Sequence, residues 1–259
     1  MSKPRKRLDT LLVELGLAQS RQKAQALVIA GLVTVNGAPA NKPGTAVGEG
    51  AQVTVKGKDH PYVSRGGVKL AHALDVFHIA PAGMTCLDVG SSTGGFTDCL
   101  LQRGAIRVFA VDVGENQLDY RLRSDPRVVT IEGVNARSMD LSLITDPIQL
   151  VVADVSFISL RLVIPPVLPA IVKDGRLVLL VKPQFEAGRG KVGKGIVRDG
   201  KVHEEVLESL GGFFERAGLV KEGECESPIL GKKGNKEFLM SLRVGSANNS
   251  PTLQNPENS

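Results

Sequence analysis

Unbroken apolar runs alternate with helical patterns between residues 61 and 244. Residues 177–181 (LVLLV) contain no polar position, which is typical of a strand covered on both faces of a parallel sheet. Five strands are predicted, at 85–90, 107–114, 127–133, 148–157 and 176–185. Because helical patterns separate such strands, this section is predicted to be an α/β domain with a parallel sheet.

Helices are predicted at 63–78, ahead of the first strand, and at 203–218, after the fifth. A polar strand near 219–229 and a strand at 236–244 follow. Residues 246–259 are polar and contain few apolar positions, so we expect a disordered tail there.

The first part of the chain follows a different pattern. Apolar residues recur at helical spacing over 8–15, and a second helix is predicted over 20–31, between a serine and a glycine. Residues 32–40 (LVTVNGAPA) contain an Asn-Gly pair between two short strands, which is a strong hairpin signal. A last alternating strand is predicted within 50–57.

These patterns predict two domains. They are a small α+β domain at 1–58 and an α/β domain at 63–245, with a linker at 59–62 and the tail at 246–259. Apolar residues make up 42% of the chain, which is enough for a substantial core, and charged residues make up 23%.

The net charge of +5 is unevenly placed. Residues 1–60 contain nine Lys/Arg and four Asp/Glu, whereas residues 61–259 contain 23 of each. A compact basic module indicates a polyanionic partner, although a solvated basic surface without a partner remains the alternative.

Composition also argues against several classes. No apolar stretch approaches the ~20 residues that cross a bilayer, and the basic segment 1–10 has no apolar segment behind it, so we expect neither a membrane span nor a secretory signal. Three cysteines and four histidines are scattered along the chain. We therefore expect reduced thiols, a cytoplasmic location and no metal site.

The order of elements in the first part resembles the S4-type RNA-binding module of ribosomal proteins and pseudouridine synthases. The matching residues are 7–9 (RLD), 20–37 (SRQKAQALVIAGLVTVNG) and 53–55 (VTV). The resemblance implies that five cations lie on one helical face against RNA phosphates: Arg5, Lys6, Arg7, Arg21 and Lys23. Each such contact would add salt-sensitive affinity.

Residues 87–104 (LDVGSSTGGFTDCLLQRG) run from a strand through a glycine-rich turn into a helix. Backbone N–H groups and the positive end of a helix would then face a ligand. The glycine spacing differs from the dinucleotide fingerprint and resembles the D-x-G-x-x-x-G loop of S-adenosylmethionine-dependent methyltransferases. The predicted cofactor-binding residues are Asp88, Gly90, Ser91, Gly94, Gly95, Phe96, Asp112 and Asp154.

Asp112 ends the second strand, where an acid accepts hydrogen bonds from ribose hydroxyls, although a lone aspartate there is often only a helix cap. Asp154 and Lys182 lie at the carboxyl ends of the fourth and fifth strands, the edge at which ligands bind in open parallel sheets. Lys182 therefore faces a cleft near Asp154 or forms a wholly structural ion pair. Pro183, which interrupts the strand there, favours the cleft.

Asp154 and Lys182, together with Lys69 in VSRGGVKL and Glu237 in GNKEF, resemble the Lys-Asp-Lys-Glu tetrad of FtsJ-type ribose 2′-O-methyltransferases. With the S4-type module in front and the segment 182–200, the chain is identified as a member of the TlyA family (hemolysin A) over residues 5–244. The resemblance implies a Rossmann-like methyltransferase sheet with a small N-terminal α+β domain.

The resemblance further implies S-adenosylmethionine as cofactor and 2′-O-methylation of cytidine in ribosomal RNA, of the small subunit and in some members of the large one. Ribosomal RNA or ribosomal subunits would be the partner. A ribose hydroxyl is a poor nucleophile, and a lysine whose pKa is lowered by burial or by a like charge can take its proton. We expect Lys182 to act as this base or to orient the hydroxyl, with Asp154 orienting the ammonium. Lys69 would supply the like charge, and Glu237 would hold Lys69 and the ribose.

The segment 186–200 is rich in glycine and basic residues and directly follows Lys182. A solvated loop is one interpretation, and a basic flap over the RNA is the other. The remaining predicted RNA-binding residues are Arg65, Arg189, Lys191 and Lys194. With two tyrosines and no tryptophan, no base-stacking cluster is expected, so RNA shape would select the target.

Three rival functions stay open. The name hemolysin suggests a membrane-active protein, which the lack of a long basic amphipathic helix disfavours. An RNA-binding protein with an inactive methyltransferase domain is disfavoured because all four tetrad residue types are present. A small-molecule methyltransferase is disfavoured by the S4-type module.

Overall fold

A computed structural model describes residues 5–15, 17–18, 20–55, 60–193 and 195–245, apart from the side chains of Arg189 and Lys232. Lys194, the expected tail at 246–259 and the first residue of the expected linker lie outside the described residues. The chain divides into two compact units, Met1–Pro61 and Tyr62–Ser259.

The described residues of the N-terminal unit form two helices and two small antiparallel sheets. Its elements are β1 (Arg5–Arg7), α1 (Leu8–Glu14), α2 (Arg21–Ile29), β2 (Val33–Val35), β3 (Ala38–Pro39), β4 (Ala46–Gly48) and β5 (Val53–Val55). Strand β1 pairs with β4, and β2 pairs with both β3 and β5. Leu8, Leu12, Val28 and Val33 are buried in its core.

The hairpin predicted over 32–40 is confirmed. Thr34 pairs with Pro39 and Val35 with Ala38. The two turn residues, Asn36 and Gly37, both have positive φ angles, as a tight two-residue turn between strands requires.

The expectation that all five S4-type cations share a helical face is wrong. Arg5–Arg7 form strand β1, opposite Ala46–Gly48, whereas Arg21 and Lys23 lie in the first turns of α2. Apolar periodicity indicated where α1 begins, but it could not reveal that the preceding residues find a strand partner about forty positions away.

The C-terminal unit is built around one seven-stranded sheet. Its strands are β6 (Thr85–Val89), β7 (Arg107–Val111), β8 (Val128–Ile131), β9 (Ile148–Ala153), β10 (Ile171–Val181), β11 (Leu219–Glu226) and β12 (Phe238–Val244). Its helices are α3 (Gly66–Val76), α4 (Gly95–Gln102), α5 (Tyr120–Arg123), α6 (Leu160–Val163), α7 (Pro183–Glu186) and α8 (Gly200–Arg216).

The strand order is β11-β12-β10-β9-β6-β7-β8. The five strands from β10 to β8 are parallel, as predicted, but β12 runs antiparallel to both β10 and β11. The α/β class is confirmed, and the sheet is mixed because of β12. Strand β11 alternates buried and half-buried with exposed residues, as expected at an antiparallel edge.

Apolar side chains cover both faces of this sheet. On one face, Leu210 and Phe214 of α8 pack into a cluster with Leu179 of β10. On the other face, Leu70 of α3 and Leu100 of α4 pack into a second cluster. The two layers bury the centre of the sheet, so polar side chains reach a ligand only at its edges.

The strand ends were predicted less well than the strands. Strand β9 ends at Ala153 and β10 at Val181, so Asp154 and Lys182 are the first residues beyond their strands. Strand β10 also begins at Ile171, five residues earlier than predicted, with a shift of register between Ile171 and Arg176. That early part contains Lys173, Asp174 and Gly175, and these residues hid it from a search for apolar runs.

Candidate active site

The predicted tetrad lies together in the C-terminal unit. Lys69 is on α3, Asp154 follows β9, Lys182 follows β10 and Glu237 directly precedes β12. All four line one cavity of about 380 Å³. Two parallel strands and one antiparallel strand therefore deliver three of the four charges to the same edge of the sheet.

The four charges form two ion pairs. Lys182 Nζ is 2.5 Å from Asp154 Oδ1 and also donates to Ser156 Oγ at 2.9 Å. Lys69 Nζ donates to Glu237 Oε2. The Glu237 side chain is 3% exposed, whereas that of Asp154 is 24% exposed. Because burying ion pairs is costly and rarely improves stability, two of them beside a cavity indicate a functional role.

Two glycines allow the backbone to approach these acids. A Cβ atom on Gly231 would lie 2.0 Å from Glu237 Oε1, so a side chain there would displace the carboxylate. Gly90 has a φ of +83°, and a Cβ atom there would lie 2.8 Å from the Asp154 carbonyl oxygen. The end of β6 and the residue after β9 are thus in direct contact.

The glycine-rich loop forms the wall beside Asp154. Of the eight residues predicted to bind a cofactor, five line the cavity: Gly90, Ser91, Gly95, Phe96 and Asp154. Ser64, Gly66, Ser92 and Thr93 line it as well, although the sequence did not single them out. Asp88, Gly94 and Asp112 do not line it.

Asp88 lies behind the loop rather than on the cavity wall. It is fully buried in β6, and its Oδ2 atom accepts a hydrogen bond from Thr97 Oγ1 at 2.6 Å. Burial, together with the smaller effect of the nearby Asp154 and Asp112, raises the pKa of Asp88 to about 7, against the hydrogen bond from Thr97. Its second oxygen has no partner among the described residues.

Asp112 holds the same loop from its other side. Its carboxylate accepts hydrogen bonds from the backbone N–H groups of Ser92, at 2.8 Å, and Gly114, at 2.7 Å. These bonds fix the loop against the end of β7. Contact between Asp112 and a ribose stays a prediction.

These features fit S-adenosylmethionine. The loop offers close backbone approach at Gly90, and the cavity beside it contains Asp154, while Asp112 at the next strand end remains half-buried. A ligand with a cationic methionine end and ribose hydroxyls suits acidic and N–H groups in these positions.

An aromatic pair on the cavity wall was missed. Phe157 and Phe185 have ring centroids 5.1 Å apart, and both line the cavity. Phe157 is 88% exposed and has a φ of +65°, a conformation that non-glycine residues rarely adopt. This pair was not expected, and its contact with a base stays a prediction. A signal existed, because each phenylalanine lies three residues beyond a strand-end charge, Asp154 or Lys182.

The basic segment after Lys182 is anchored at one end. Asn235 is buried, accepts a hydrogen bond from Val197 N at 3.2 Å and donates to Gly195 O at 3.0 Å. Lys191 forms an ion pair with Glu205. Arg189 lies in a short turn with it, but its side chain is not described, and Lys194 lies outside the described residues.

Arg65 is the remaining predicted RNA-binding residue of this unit. It precedes α3 and donates a hydrogen bond to Leu230 O at 2.9 Å. This bond links it to the loop that carries Lys233, which lines the cavity. Contact of these cations with RNA stays a prediction.

In the N-terminal unit, two of the predicted RNA-binding residues share one buried acid. Arg7 donates to both oxygens of Asp9, at 3.1 and 3.0 Å, and Arg21 donates to Oδ2 at 3.0 Å. Gln25 donates to the same oxygen at 2.9 Å. The hydrogen bonds from Arg7 hold the pKa of Asp9 well below its usual range.

The other three cations of the predicted set are exposed. Lys6 forms an ion pair with Glu14, at 2.6 Å. Arg5 lies in β1, and the backbone N–H of Lys23 donates to Ser20 Oγ, the helix cap, at 3.2 Å.

Across the described ranges, no cluster of three or more His, Cys, Asp or Glu side chains could hold a metal ion. Within the same ranges, every helix is too short or too polar to cross a bilayer.

The chain is similar to known proteins over most of its length. The FtsJ-like methyltransferase family model matches residues 62–244, and the S4 domain model matches residues 6–53. The protein named 16S/23S rRNA (cytidine-2′-O)-methyltransferase TlyA from Mycobacterium tuberculosis is 46% identical over 93% of this chain and 90% of its own. Hemolysin A of Brachyspira hyodysenteriae is 42% identical over 90% of this chain and 98% of its own.

A solved structure is also similar to this chain over nearly its whole length. A chain from Streptococcus thermophilus, described provisionally as a hemolysin, is 44% identical, with a TM-score of 0.74. The match covers 97% of this chain and 93% of that one.

Proposed function

The chain belongs to the FtsJ-like methyltransferase family and to its TlyA group, and on that premise we propose that it methylates the ribose 2′-hydroxyl of a cytidine in ribosomal RNA. The observation that carries this proposal is the pair of ion pairs, Lys182–Asp154 and Lys69–Glu237, around one cavity beside the glycine-rich loop. The small-subunit RNA, the large-subunit RNA or both would be the substrate.

The cofactor is S-adenosylmethionine, which supplies a methyl group on a positively charged sulfur. Gly90, Ser91, Gly95 and Phe96 would hold it at the loop, since they line the cavity next to Asp154. Asp112 would accept hydrogen bonds from its ribose, and Asp88, which is buried, would support the loop from behind.

Lys182 is the residue that we expect to contact the ribose 2′-hydroxyl. It emerges directly from the buried strand β10, and its hydrogen bonds to Asp154 and Ser156 fix its position. When bound, the cofactor would supply the methyl group to the ribose oxygen, and Lys182 would take the proton that this oxygen releases or would orient the hydroxyl. Asp154 would orient the Lys182 side chain through their ion pair. Such alignment alone can lower a barrier by about 7–11 kcal/mol.

The second pair keeps the site electrically balanced. Without Glu237, Lys69 would be a buried, unpaired cation, so each residue offsets the cost of burying the charge of the other. The remaining capacity of the Glu237 carboxylate would hold the ribose. Lys69 would also place a like charge in the cavity that Lys182 occupies.

The RNA would be bound by cations from both units. Arg5, Lys6, Arg7, Arg21 and Lys23 of the S4 domain, at 1–58, would contact phosphates. Arg65, Arg189, Lys191 and Lys194 would do so in the methyltransferase domain, at 63–245. The exposed ring of Phe157 would support the target base, because bases stack on aromatic faces. We place the reaction in the cytoplasm, on ribosomal RNA or ribosomal subunits.

Membrane activity is the second candidate, because one relative carries the name Hemolysin A. The two ion pairs serve no purpose in lysis, whereas methyl transfer needs groups of their kind. Lysis of red cells by the purified protein, independent of cofactor, would support the second candidate.

The proposal is tested with tritium-labelled S-adenosylmethionine and separated ribosomal subunits that lack the modification. A 2′-O-methyl group blocks alkaline cleavage at its own phosphodiester bond. We expect label in alkali-resistant dinucleotides that contain 2′-O-methylcytidine. Label only on bases, or no label from protein that binds the cofactor, would contradict the proposal.

A further inference from the structure

Gln184 lies two residues after Lys182, on the short helix α7, and lines the same cavity. Its Oε1 atom is buried, and no donor among the described residues reaches it. Buried polar atoms in folded proteins nearly always have a hydrogen-bond partner. Gln184 therefore brings to the cavity wall an amide whose oxygen has no partner among the described residues, which suits this amide to a donor group of the substrate.

The neighbours of Gln184 define what kind of substrate group this is. Phe185 follows it in the chain, and Phe157 packs against Phe185 on the same cavity wall. Two aromatic rings beside an amide form a surface against which a planar base can lie with its edge towards the amide. The cavity is thus apolar where the face of a base would lie and polar at its edge.

The position of Gln184 relative to Lys182 matches a nucleotide. Two residues of chain span at most ~7 Å, and both side chains line the same cavity, so the amide and the lysine could contact neighbouring parts of one bound group. If the ribose hydroxyl lies at Lys182, the base of the same nucleotide extends towards α7. No other part of the substrate is as close to its own ribose.

We propose that Gln184 selects the target base, with Oε1 accepting a hydrogen bond from the 4-amino group of cytosine and Nε2 donating to its ring nitrogen N3. This inference rests on the proposed function. Uracil presents the opposite pattern, a carbonyl oxygen at position 4 and an N–H at position 3. With uracil in the same place and the Gln184 amide oriented as in this structure, Oε1 would face an acceptor, and a site built for a hydrogen bond rejects a group that cannot make it.

The test compares two substrates with each enzyme form. Ribosomal subunits carrying either cytidine or uridine at the methylated position, the latter from mutated ribosomal RNA, are methylated by wild type and by Gln184→Met. Methionine keeps the length of the side chain and removes both amide atoms. Gln102→Met, at an exposed position of α4, is the matched control.

We expect wild type and Gln102→Met to prefer cytidine by roughly 10- to 100-fold in kcat/KM, as hydrogen bonds to a base edge usually provide. Gln184→Met should lower that preference to about 3-fold or less, mainly by losing activity on cytidine. Because the preference is a ratio measured on one preparation, partial unfolding cannot change it.

Two results would overturn the inference, and they are distinguishable. A preference for cytidine that persists in Gln184→Met, or that wild type lacks, refutes the role of Gln184 alone. No methylation of either substrate by wild type, with cofactor binding intact, refutes the proposed function and this inference with it.

Discussion

The N-terminal and C-terminal units each bring cations to buried or half-buried acids, but they do so in different ways. In the N-terminal unit, Arg7, Arg21 and Gln25 converge on Asp9, which is fully buried. In the C-terminal unit, each lysine has its own acid, and all four charges line a cavity. The first arrangement saturates one carboxylate, whereas the second keeps four charged groups next to space for a substrate.

This difference indicates a structural role for the Asp9 cluster and a catalytic role for the charges at the cavity. The carboxylate of Asp9 is occupied by hydrogen bonds from its neighbours, and a substrate could bind it only by breaking some of them. Its role is therefore to stabilise the fold of the unit and to orient two half-exposed guanidinium groups. Lys182 has two partners, Asp154 and Ser156, and its position at a cavity allows an exchange of partners. Whether a charged pair has a structural or a catalytic role therefore depends on whether a substrate can also contact it.

The largest predicted effect comes from Lys182. Lys182→Met should lower methyl transfer by at least about 1,000-fold, because it removes the group that meets the hydroxyl. Lys173→Met, at an exposed position near the start of the same strand, is the matched control and should retain activity. Initial rates with labelled cofactor measure the effect, and calorimetry should show that Lys182→Met still binds S-adenosylmethionine. More than a tenth of wild-type activity in Lys182→Met would refute its role.

A smaller effect is expected from Glu237→Gln. Lys69 then remains buried beside a neutral amide, so activity should fall about 10- to 100-fold, and thermal stability should also fall. Glu226→Gln breaks an exposed pair with Lys236 and should change little, as exposed pairs contribute only ~0–1 kcal/mol. Equal melting temperatures and rates for both variants would mean that burial of the Lys69–Glu237 pair has no consequence.

Asp9→Asn should act on folding and on RNA affinity rather than on chemistry. Losing the charge weakens the bonds from Arg7 and Arg21, which should destabilise the N-terminal unit by about 2 kcal/mol. RNA affinity should fall several-fold, while the rate at saturating RNA stays near that of wild type. Glu14→Gln, which breaks the exposed pair with Lys6, is the control. Filter binding and denaturant unfolding measure the two effects, and unchanged values for both would contradict the role of Asp9.

The last predicted effect, which concerns stability and not the rate of methyl transfer, is a pH dependence set by Asp88. Its pKa is about 7 in the folded protein, against 3.8 as its ordinary value, so the folded state binds the proton more tightly than the unfolded state. The free energy of unfolding should therefore decrease as pH rises from about 4 to about 7. Asp88→Asn cannot ionise and should lack this decrease, on the order of 1–4 kcal/mol. Parallel stability curves for the two proteins over this range would contradict the assignment.

Much of the fold was predictable because its signals are local. The Asn36-Gly37 turn, the buried run 177–181 and the charges at 154 and 182 are each visible within a few residues. The tetrad could be proposed because strand ends of a parallel sheet meet at one edge, so position along a strand is also position in space.

Features that depend on distant contacts were not predictable. The pairing of β1 with β4 and the antiparallel direction of β12 arise from partners far away in the chain. The packing of Phe157 on Phe185 and the unpaired oxygen of Gln184 depend on side-chain geometry that no periodicity encodes. The burial of Asp88 behind its loop was missed for the same reason.

The most direct test of the contrast between the two units is single-turnover methyl transfer measured against RNA concentration for wild type, Asp9→Asn and Lys182→Met. The account predicts that saturating RNA restores the rate of Asp9→Asn to about that of wild type, whereas no RNA concentration restores Lys182→Met. If saturating RNA rescued Lys182→Met, or failed to rescue folded Asp9→Asn, the division between a supporting and a catalytic cluster would be wrong.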